Sequence, residues 1–544
     1  MKMVASRNKE FLITGGDGSF SLISLNWENR RKYHGFLIKS GSPPAKRFVV
    51  FSGIKEYIDG KPVAPDTFEY PNRFITTRPK ITRAVHLDSG VMVSYEVRSG
   101  QRLVLRPYFN YRHMYDVRSE PGDGNVKVTS KGFSVSIDGN QIDVGLHGKY
   151  KFVPEPKWEM FEYEIDMERG ESFRDYNFSP GAIEVMGNFG ITVPASARPK
   201  SADQSFEINA TIARENNRFV IAGYPWFSFW TRDAMIYTRY LVSAGRFNEA
   251  RQILESVYRL RREDVLPEFI DDRTGQPVYS GLDGNLLFLS VLGEYIEKSN
   301  DWEILSMMDP EALIMPAIGN LDGNLFLDTK TWTDTIERRK PVEIQAFLFN
   351  SLISVSKMIE SDDSARYESL AAELRKTFRK EYVDSQGIKD SDNDVRVRPN
   401  FLFTAYFPHK IVSPQKLRKS MKLVLSDLIT PFGLRTLGSG EPGYFGIYQR
   451  SRPESYHNGT VWSWLVGPLF EAVKYAYPSM MDEVRQIVDS LEKHRWSQGV
   501  IGQINEIFDG DAPHRARGCP AQAWSFSEIE RVKLLGSFDS RPGS

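Results

Sequence analysis

The chain has 544 residues, 41% hydrophobic and 26% charged, with 70 Lys and Arg against 70 Asp and Glu. That length exceeds one hydrophobic core and predicts two or more domains. The ordinary composition excludes a disordered chain, and the zero net charge gives no support to a nucleic-acid footprint or a basic membrane patch. The opening stretch, MKMVASRNKEFLITGG, lacks the apolar core of a secretory signal. Residues 10 to about 195 then alternate with strand period, as in 19–25, 47–53, 90–97, 101–109 and 182–193. The runs 133–137 and 141–144 flank Asp138-Gly139-Asn140, a short-hairpin signal. These features predict an N-terminal antiparallel β-sandwich.

The character changes at 195–217, which places a β domain at 1–198 and a second domain at 199–544. Apolar faces at helical spacing recur in 201–210, 233–244, 246–262, 282–298, 301–316, 341–360, 363–383, 401–408, 413–428, 459–476, 479–495 and 521–536. Five connections are short: 244–246, 299–300, 361–362, 408–413 and 477–478. Short links make neighbouring helices antiparallel. The other six span 211–232, 263–281, 317–340, 384–400, 429–458 and 496–520, and loops of that length are usually functional. Six such pairs closing on themselves would form an all-α (α/α)6 toroid with every long loop at one mouth. The absence of a fixed-length internal repeat counts against a linear helical array. No apolar run approaches the ~18 residues of a membrane span.

The long loops carry the chemistry. The first reads GYPWFSFWTRD and ends in Trp230, Arg232 and Asp233. Aromatic rings stack on the apolar faces of sugars, and an Arg-Asp pair holds adjacent hydroxyls. In the bland reading, Asp233 caps the next helix and Arg232 pairs with it. Asp283, in the second loop, serves equally to orient a hydroxyl or to cap a helix. The third loop holds Trp332-Thr333-Asp334, and a Trp wall raises the pKa of a neighbouring carboxyl, which suits a general acid. Glu343 follows, either as a substrate ligand or as a first-turn acid facing the helix dipole. The fifth loop contributes Arg435, His457 and Trp462; the sixth contributes Glu506, Asp509, Gln522 and Trp524. Glu506 lies opposite Asp334 in a six-hairpin ring, and Asp509 is a rival for the same role. Inverting glycoside hydrolysis needs an acid and a base roughly 6.5–9.5 Å apart, leaving room for water. The eight His residues show no metal-ligand spacing, so no metal is expected. Acid–base chemistry needs no cofactor. Cys519 is the only cysteine, which rules out an internal disulfide and favours a reducing compartment. The expectation is a soluble cytoplasmic protein of unspecified oligomeric state.

Six strings stand in order: GYPWFSFWTRDAMI at 223–236, WTDTIERRKPVEIQA at 332–346, RPN at 398–400, TPFGLRTL at 430–437, YHNGTVWSWLVGP at 456–468 and GCPAQAWSFSE at 518–528. Together they resemble the glucosidase part of glycogen debranching enzymes, in the single-activity bacterial and archaeal form. RRKYHGFL at 30–37 is similar to the family's RRYHGLL segment, so the likeness extends through the N-terminal domain. The resemblance implies a β-sandwich against an (α/α)6 barrel and removal of α-1,6-linked glucose stubs from glycogen or a limit dextrin. It implies Asp334 as general acid, Glu506 as general base, and Arg232 and Asp233 as ligands of the terminal glucose. Phe229 stands where the family often has Asp, and Thr335 where it has Ala; both departures bear on substrate choice. A glucoamylase-like or trehalase-like hydrolase on the same ring is the alternative enzyme, and a catalytically inactive glucan-binding scaffold the non-enzymatic one.

Overall fold

The computed structural model describes residues 1–98, 100–198, 211–214, 217–360 and 363–538. The expected helix at 201–210 and the expected turn at 361–362 lie outside the described residues. The chain divides into two compact units: Met1–Arg214 with Asp271–Gly275 and Ser497–Gly502, and Glu215–Ile270 with Gln276–Trp496 and Gln503–Ser544.

The first unit is a mostly-strand, curled sheet whose 16 strands form one hydrogen-bonded network. Alternation drives it: along Val91–Val97, every second residue from Val91 is buried and those between are not. The expected short hairpin is present, with Ile137 paired to Asn140. Asp138 (φ 46°) and Gly139 (φ 80°) supply the two left-handed residues its turn demands. The strands Asn140–Glu162 and Arg174–Val193 pair along most of their length, interrupted by irregularities between Gly148 and Tyr150 and between Pro154 and Lys157. Such interruptions bend long strands and let one sheet curl. Trp27, Phe36, Phe51, Phe74 and Phe109 pack in the core. Buried ion pairs lie among them: Arg112 with Asp175 at 2.9 Å and Arg47 with Asp272 at 2.8 Å.

The second unit is helical. Thr231–Ser243 packs on Asp283–Ser299, which packs on Val342–Met358; that helix packs on the 3-10 segment Pro399–Ala405. Pro399–Ala405 packs on Val466–Ala476, which packs on Ala523–Gly536, and the last returns to Thr231–Ser243. The helices Phe247–Arg259, Pro310–Gly319, Asp363–Glu381 and Pro414–Leu428 pack against members of this series. Thr231–Ser243 is buried nearly all round, whereas Asp363–Glu381 buries only Tyr367, Ala371, Leu374 and Phe378. A helix buried on every side belongs to an interior, and one with a single apolar stripe to an outer layer. Buried charges tie the series together: Arg239 meets Glu294 at 2.7 Å and Glu471 at 3.5 Å, while Arg531 meets Glu471 at 2.6 Å and Glu528 at 2.8 Å.

Three helices differ from expectation. The segment 301–316 is two pieces, Trp302–Ser306 in 3-10 form and Pro310–Gly319. The reason is local: the Asp309 carboxylate accepts from the Ala312 N–H at 3.0 Å, and Pro310 opens a new helix. The 401–408 helix is the 3-10 segment Pro399–Ala405. Pro408 ends it, and Lys410 Nζ donates to the Ala405 and Phe407 carbonyls at 2.6 and 2.7 Å. The start of 459–476 is a strand, Val461–Trp462, before helix begins at Val466.

The long connections are not structureless. Ile429–Thr430, Gly433–Arg435, Val461–Trp462, Ile507–Phe508 and Ala516–Arg517 make a five-stranded sheet from the fifth and sixth loops. Gly223–Tyr224 of the first loop pairs with Ala521–Gln522 of the sixth. Among the described residues, no helix is long and apolar enough to cross a membrane.

Candidate active site

A cavity in the helical unit is bounded by the first, third, fifth and sixth loops. Trp230, Trp332, Trp462 and Trp524 wall it, and Arg232, Asp233, Asp334, Glu506 and Gln522 supply its polar groups. Each is held by a specific local device.

Trp230 is the extended residue before helix Thr231–Ser243, and its ring stacks on Phe269 at 4.6 Å. Arg232 and Asp233 follow in the first turn. Arg232 is buried; its Nε donates to Asp283 Oδ2 at 2.8 Å, and its Nη1 lies 3.9 Å from Asp334 Oδ2. Arg232 Nη2 sits 3.8 Å from Glu268 Oε1 and has no hydrogen-bond partner among the described residues. A buried guanidinium N–H without a partner is costly unless a ligand completes it. Asp233 Oδ1 accepts from Gln522 Nε2 at 3.0 Å. Burial, reinforced by the negative charge of Glu506, pushes the Asp233 carboxyl up to about 8 despite Arg232 beside it. The opposite end of the Gln522 amide, Oε1, is buried and unpartnered, as is Trp524 Nε1.

Trp332 is anchored by its Nε1 donating to Asn400 Oδ1 at 3.0 Å, and it meets Trp462 and Trp464 edge-on at 5.3 and 5.4 Å. Asp334, two residues on, keeps a third of its side chain exposed. Burial raises its carboxyl above the ordinary range, Arg232 opposes that, and Asp283 adds to it. His457 Nδ1 lies 4.0 Å from Asp334 Oδ1. Burial and then the surrounding Arg232, Arg398 and Arg338 charges hold the imidazole well below its usual value. It is therefore neutral, lends Asp334 no counter-charge, and hydrogen-bonds Thr335 Oγ1 at 2.7 Å.

Glu506 is fixed by its own loop. Its N–H donates to the Cys519 carbonyl at 2.8 Å, and its Oε2 accepts from the Cys519 N–H at 2.9 Å. Tyr456 is hydrogen-bonded to the same carboxylate. Cys519 Sγ in turn donates to the Tyr224 carbonyl at 2.9 Å, so the sixth loop is pinned to the first. Gly518 is required by this arrangement: its φ is 62°, and a Cβ there would lie 2.5 Å from Glu506 Oε2.

Several residues expected in the pocket do not line it. Asp283 orients Arg232 and accepts from the Gly284 N–H at 2.9 Å. Glu343 is fully buried, with Arg338 at 2.6 Å and Thr331 Oγ1 at 2.8 Å. Arg435 donates to the Gly510 and Asp427 carbonyls at 2.9 and 3.0 Å. His457 stacks on Trp462 at 5.0 Å and stands outside the lining. Asp509 is occupied by the Tyr448 N–H at 3.0 Å and by Arg517 at 3.1 Å. Conversely, the cavity includes Phe227 and Tyr456, which sequence reasoning passed over. Both sit inside strings it had singled out, beside Trp230 and His457, and adjacency was the available signal. Among the described residues, no group of three or more His, Cys, Asp or Glu side chains could hold a metal ion.

The family described as "Amylo-alpha-1,6-glucosidase" matches residues 201–321 and 321–531 of the chain. The family described as "Glycogen debranching enzyme N terminal" matches residues 9–78 and 80–193. A solved structure titled "Glycosidase Wild Type" is 14% identical, with a TM-score of 0.47, covering 58% of this chain and 91% of that one. A variant glycosidase solved in complex with glucose is also 14% identical, with a TM-score of 0.46 and the same coverages.

Proposed function

The chain belongs to the amylo-alpha-1,6-glucosidase family and is a glycoside hydrolase; from that premise we propose an inverting, exo-acting enzyme that removes α-1,6-linked glucose stubs from a branched α-glucan. The observation that carries the reading is the placement of Asp334 and Glu506, from separate loops, on one aromatic-walled cavity.

In this reading Asp334 is the general acid. Burial raises its carboxyl, which favours the protonated form whose proton goes to the glycosidic oxygen as it leaves with the shortened glucan. Glu506 is the general base. Held by the Cys519 N–H and Tyr456, it removes a proton from a water that attacks the anomeric carbon from the opposite face. The α-linkage is thereby released as β-glucose. Arg232 and Asp233 grip the glucose hydroxyls: Arg232 Nη2 has a donor to spend, and Asp233 is protonated near neutral pH. Gln522 positions Asp233, and Trp230, Trp332, Trp462 and Trp524 pack on the sugar. No cofactor enters these steps.

The same reading makes the helical unit an (α/α)6 toroid, supported by the six-member contact series that returns to its start. It makes the curled sheet a two-layered β-sandwich and sets the domains at 1–198 and 199–544, supported by family matches ending at 193 and starting at 201. The buried lone Cys519 suits a reducing cytoplasm.

The test is glucose release from phosphorylase-limit dextrin, with maltooligosaccharides and trehalose alongside, and the anomer followed by polarimetry. β-Glucose from limit dextrin alone supports the proposal. Release from linear chains or trehalose moves the enzyme to the glucoamylase or trehalase side, α-glucose refutes inversion, and glucan binding without release leaves a scaffold.

A further inference from the structure

We propose that Arg338 is the positioning residue of the general acid, acting through the segment 331–335 that carries Asp334; the assignment rests on the glucosidase reading. The segment forms neither helix nor strand, so no backbone ladder fixes it. Side chains do so instead. Thr331 Oγ1 donates to Glu343 Oε1 at 2.8 Å, and Trp332 Nε1 donates to Asn400 Oδ1 at 3.0 Å. Thr333 Oγ1 accepts from Arg338 Nη1 at 2.9 Å, and Thr335 Oγ1 is hydrogen-bonded to His457 Nδ1 at 2.7 Å. Thr331, Trp332, Thr333 and all four partners are buried, whereas Asp334 keeps a third of its side chain exposed. Asp334 is thus carried to the cavity by neighbours that are each tied down behind it.

Three of the four ties converge on Arg338. Its guanidinium spends every N–H it has: Nε on Asp390 Oδ2 at 2.5 Å, Nη1 on Thr333 and on Glu343 Oε1 at 2.6 Å, and Nη2 on Glu343 Oε2 at 2.8 Å and the Asp390 carbonyl at 3.0 Å. The same two carboxylates hold the other ties. Glu343 accepts from Thr331, and Asp390 Oδ1 accepts at 2.8 Å from the Nδ2 of Asn400, whose Oδ1 holds Trp332. Asn400 closes the RPN string and Asp390 lies in the fourth long loop, neither of which reaches the cavity wall; this network gives both a place. A planar fork can bond two carboxylates and a hydroxyl at once in fixed directions, which a lysine ammonium cannot. Its effect is one of place rather than charge, since burial, Arg232 and Asp283 set the protonation of Asp334. A general acid works only with its proton aimed at the leaving oxygen, and a misplacement near 1 Å costs about a hundredfold.

The test compares two substrates of the full chain, phosphorylase-limit dextrin and α-glucosyl fluoride. The glycosidic oxygen of the dextrin needs a proton to leave, whereas fluoride departs with the bonding electron pair as a stable anion and needs little help from an acid. Arg338→Lys should lower kcat on limit dextrin on the order of a hundredfold and Thr333→Val on the order of tenfold, while both keep kcat on the fluoride within about threefold of wild type. Thr333→Ser, which retains the hydroxyl, should restore limit-dextrin turnover. Equal losses on the two substrates in either Arg338→Lys or Thr333→Val, the mark of a merely structural role, or no loss on limit dextrin, overturns the proposal. Asp334→Asn is the reference and should show the same selective loss. If it does and the positioning variants do not, the positioning proposal alone fails. If it loses both substrates equally or neither, Asp334 is not the general acid and the proposal falls with that reading.

Discussion

Gly518→Ala tests the proposed base without touching its chemistry. The new Cβ would lie 2.5 Å from Glu506 Oε2, and ordinary contact begins at 3.4 Å, so the carboxylate must retreat by about 0.9 Å. The backbone resists any other relief, because φ at this position is 62° and the Cys519 N–H, one residue on, is the group that holds Glu506. A displacement near 1 Å in a catalytic group costs about a hundredfold in rate. Forcing a Cβ into the left-handed region adds about 1–2 kcal/mol of instability. The expected result is kcat on limit dextrin down about a hundredfold, KM within about threefold, and a melting temperature lowered by no more than about 4 °C. Stopped glucose assays and a thermal melt measure all three. A variant that folds and keeps kcat within threefold of wild type would refute the assignment of Glu506.

Three further outcomes follow from the same geometry. Asp334→Asn should preserve the melting temperature and lower kcat by about 10²–10⁴-fold, the worth of a general acid; unchanged turnover would remove Asp334 from the mechanism. Asp283→Asn removes a negative charge that raises the Asp334 carboxyl and frees Arg232, which lowers it. Both effects lower the folded pKa of the acid, so the alkaline limb of the kcat/KM profile should move to lower pH, and a shift the other way would contradict the electrostatics. Arg531→Met strands the buried carboxylate of Glu528, leaves Glu471 with Arg239 alone, and should cost about 3–5 kcal/mol in denaturant unfolding. A loss under 1 kcal/mol would show that the inner helices do not depend on that cluster.

Local patterning was enough for much of the fold. Alternation marked the strands, Asp138-Gly139 marked the hairpin between them, and 3.6-residue spacing marked the inner and outer helices, because each of these is written within a few residues of itself. It misjudged 401–408, where length and apolar content match a helix turn but Pro399, Pro408 and the Lys410 ammonium on the terminal carbonyls select the 3-10 segment Pro399–Ala405. The candidate pocket was legible as a set of loops and residue types, with Trp332 and Asp334 two residues apart in one of them.

Which carboxylates face the cavity was decided by tertiary structure. In sequence, Glu343, Asp509 and Glu506 are alike, each an acid in or beside a long loop. Folding gives Glu343 to Arg338 and Asp509 to Arg517, while Glu506 receives a backbone N–H and a tyrosine and remains on the cavity wall. The same holds for Asp233 and Asp283, on successive loops of the helical unit: Asp283 is spent on orienting Arg232, and Asp233 is left protonated near neutral pH by burial and by Glu506, 273 residues further along the chain. A side chain's type and its neighbours in sequence set what chemistry it is able to do. Its charge state and its free valences depend on burial and on partners brought from distant segments, and those exist only once the chain has folded.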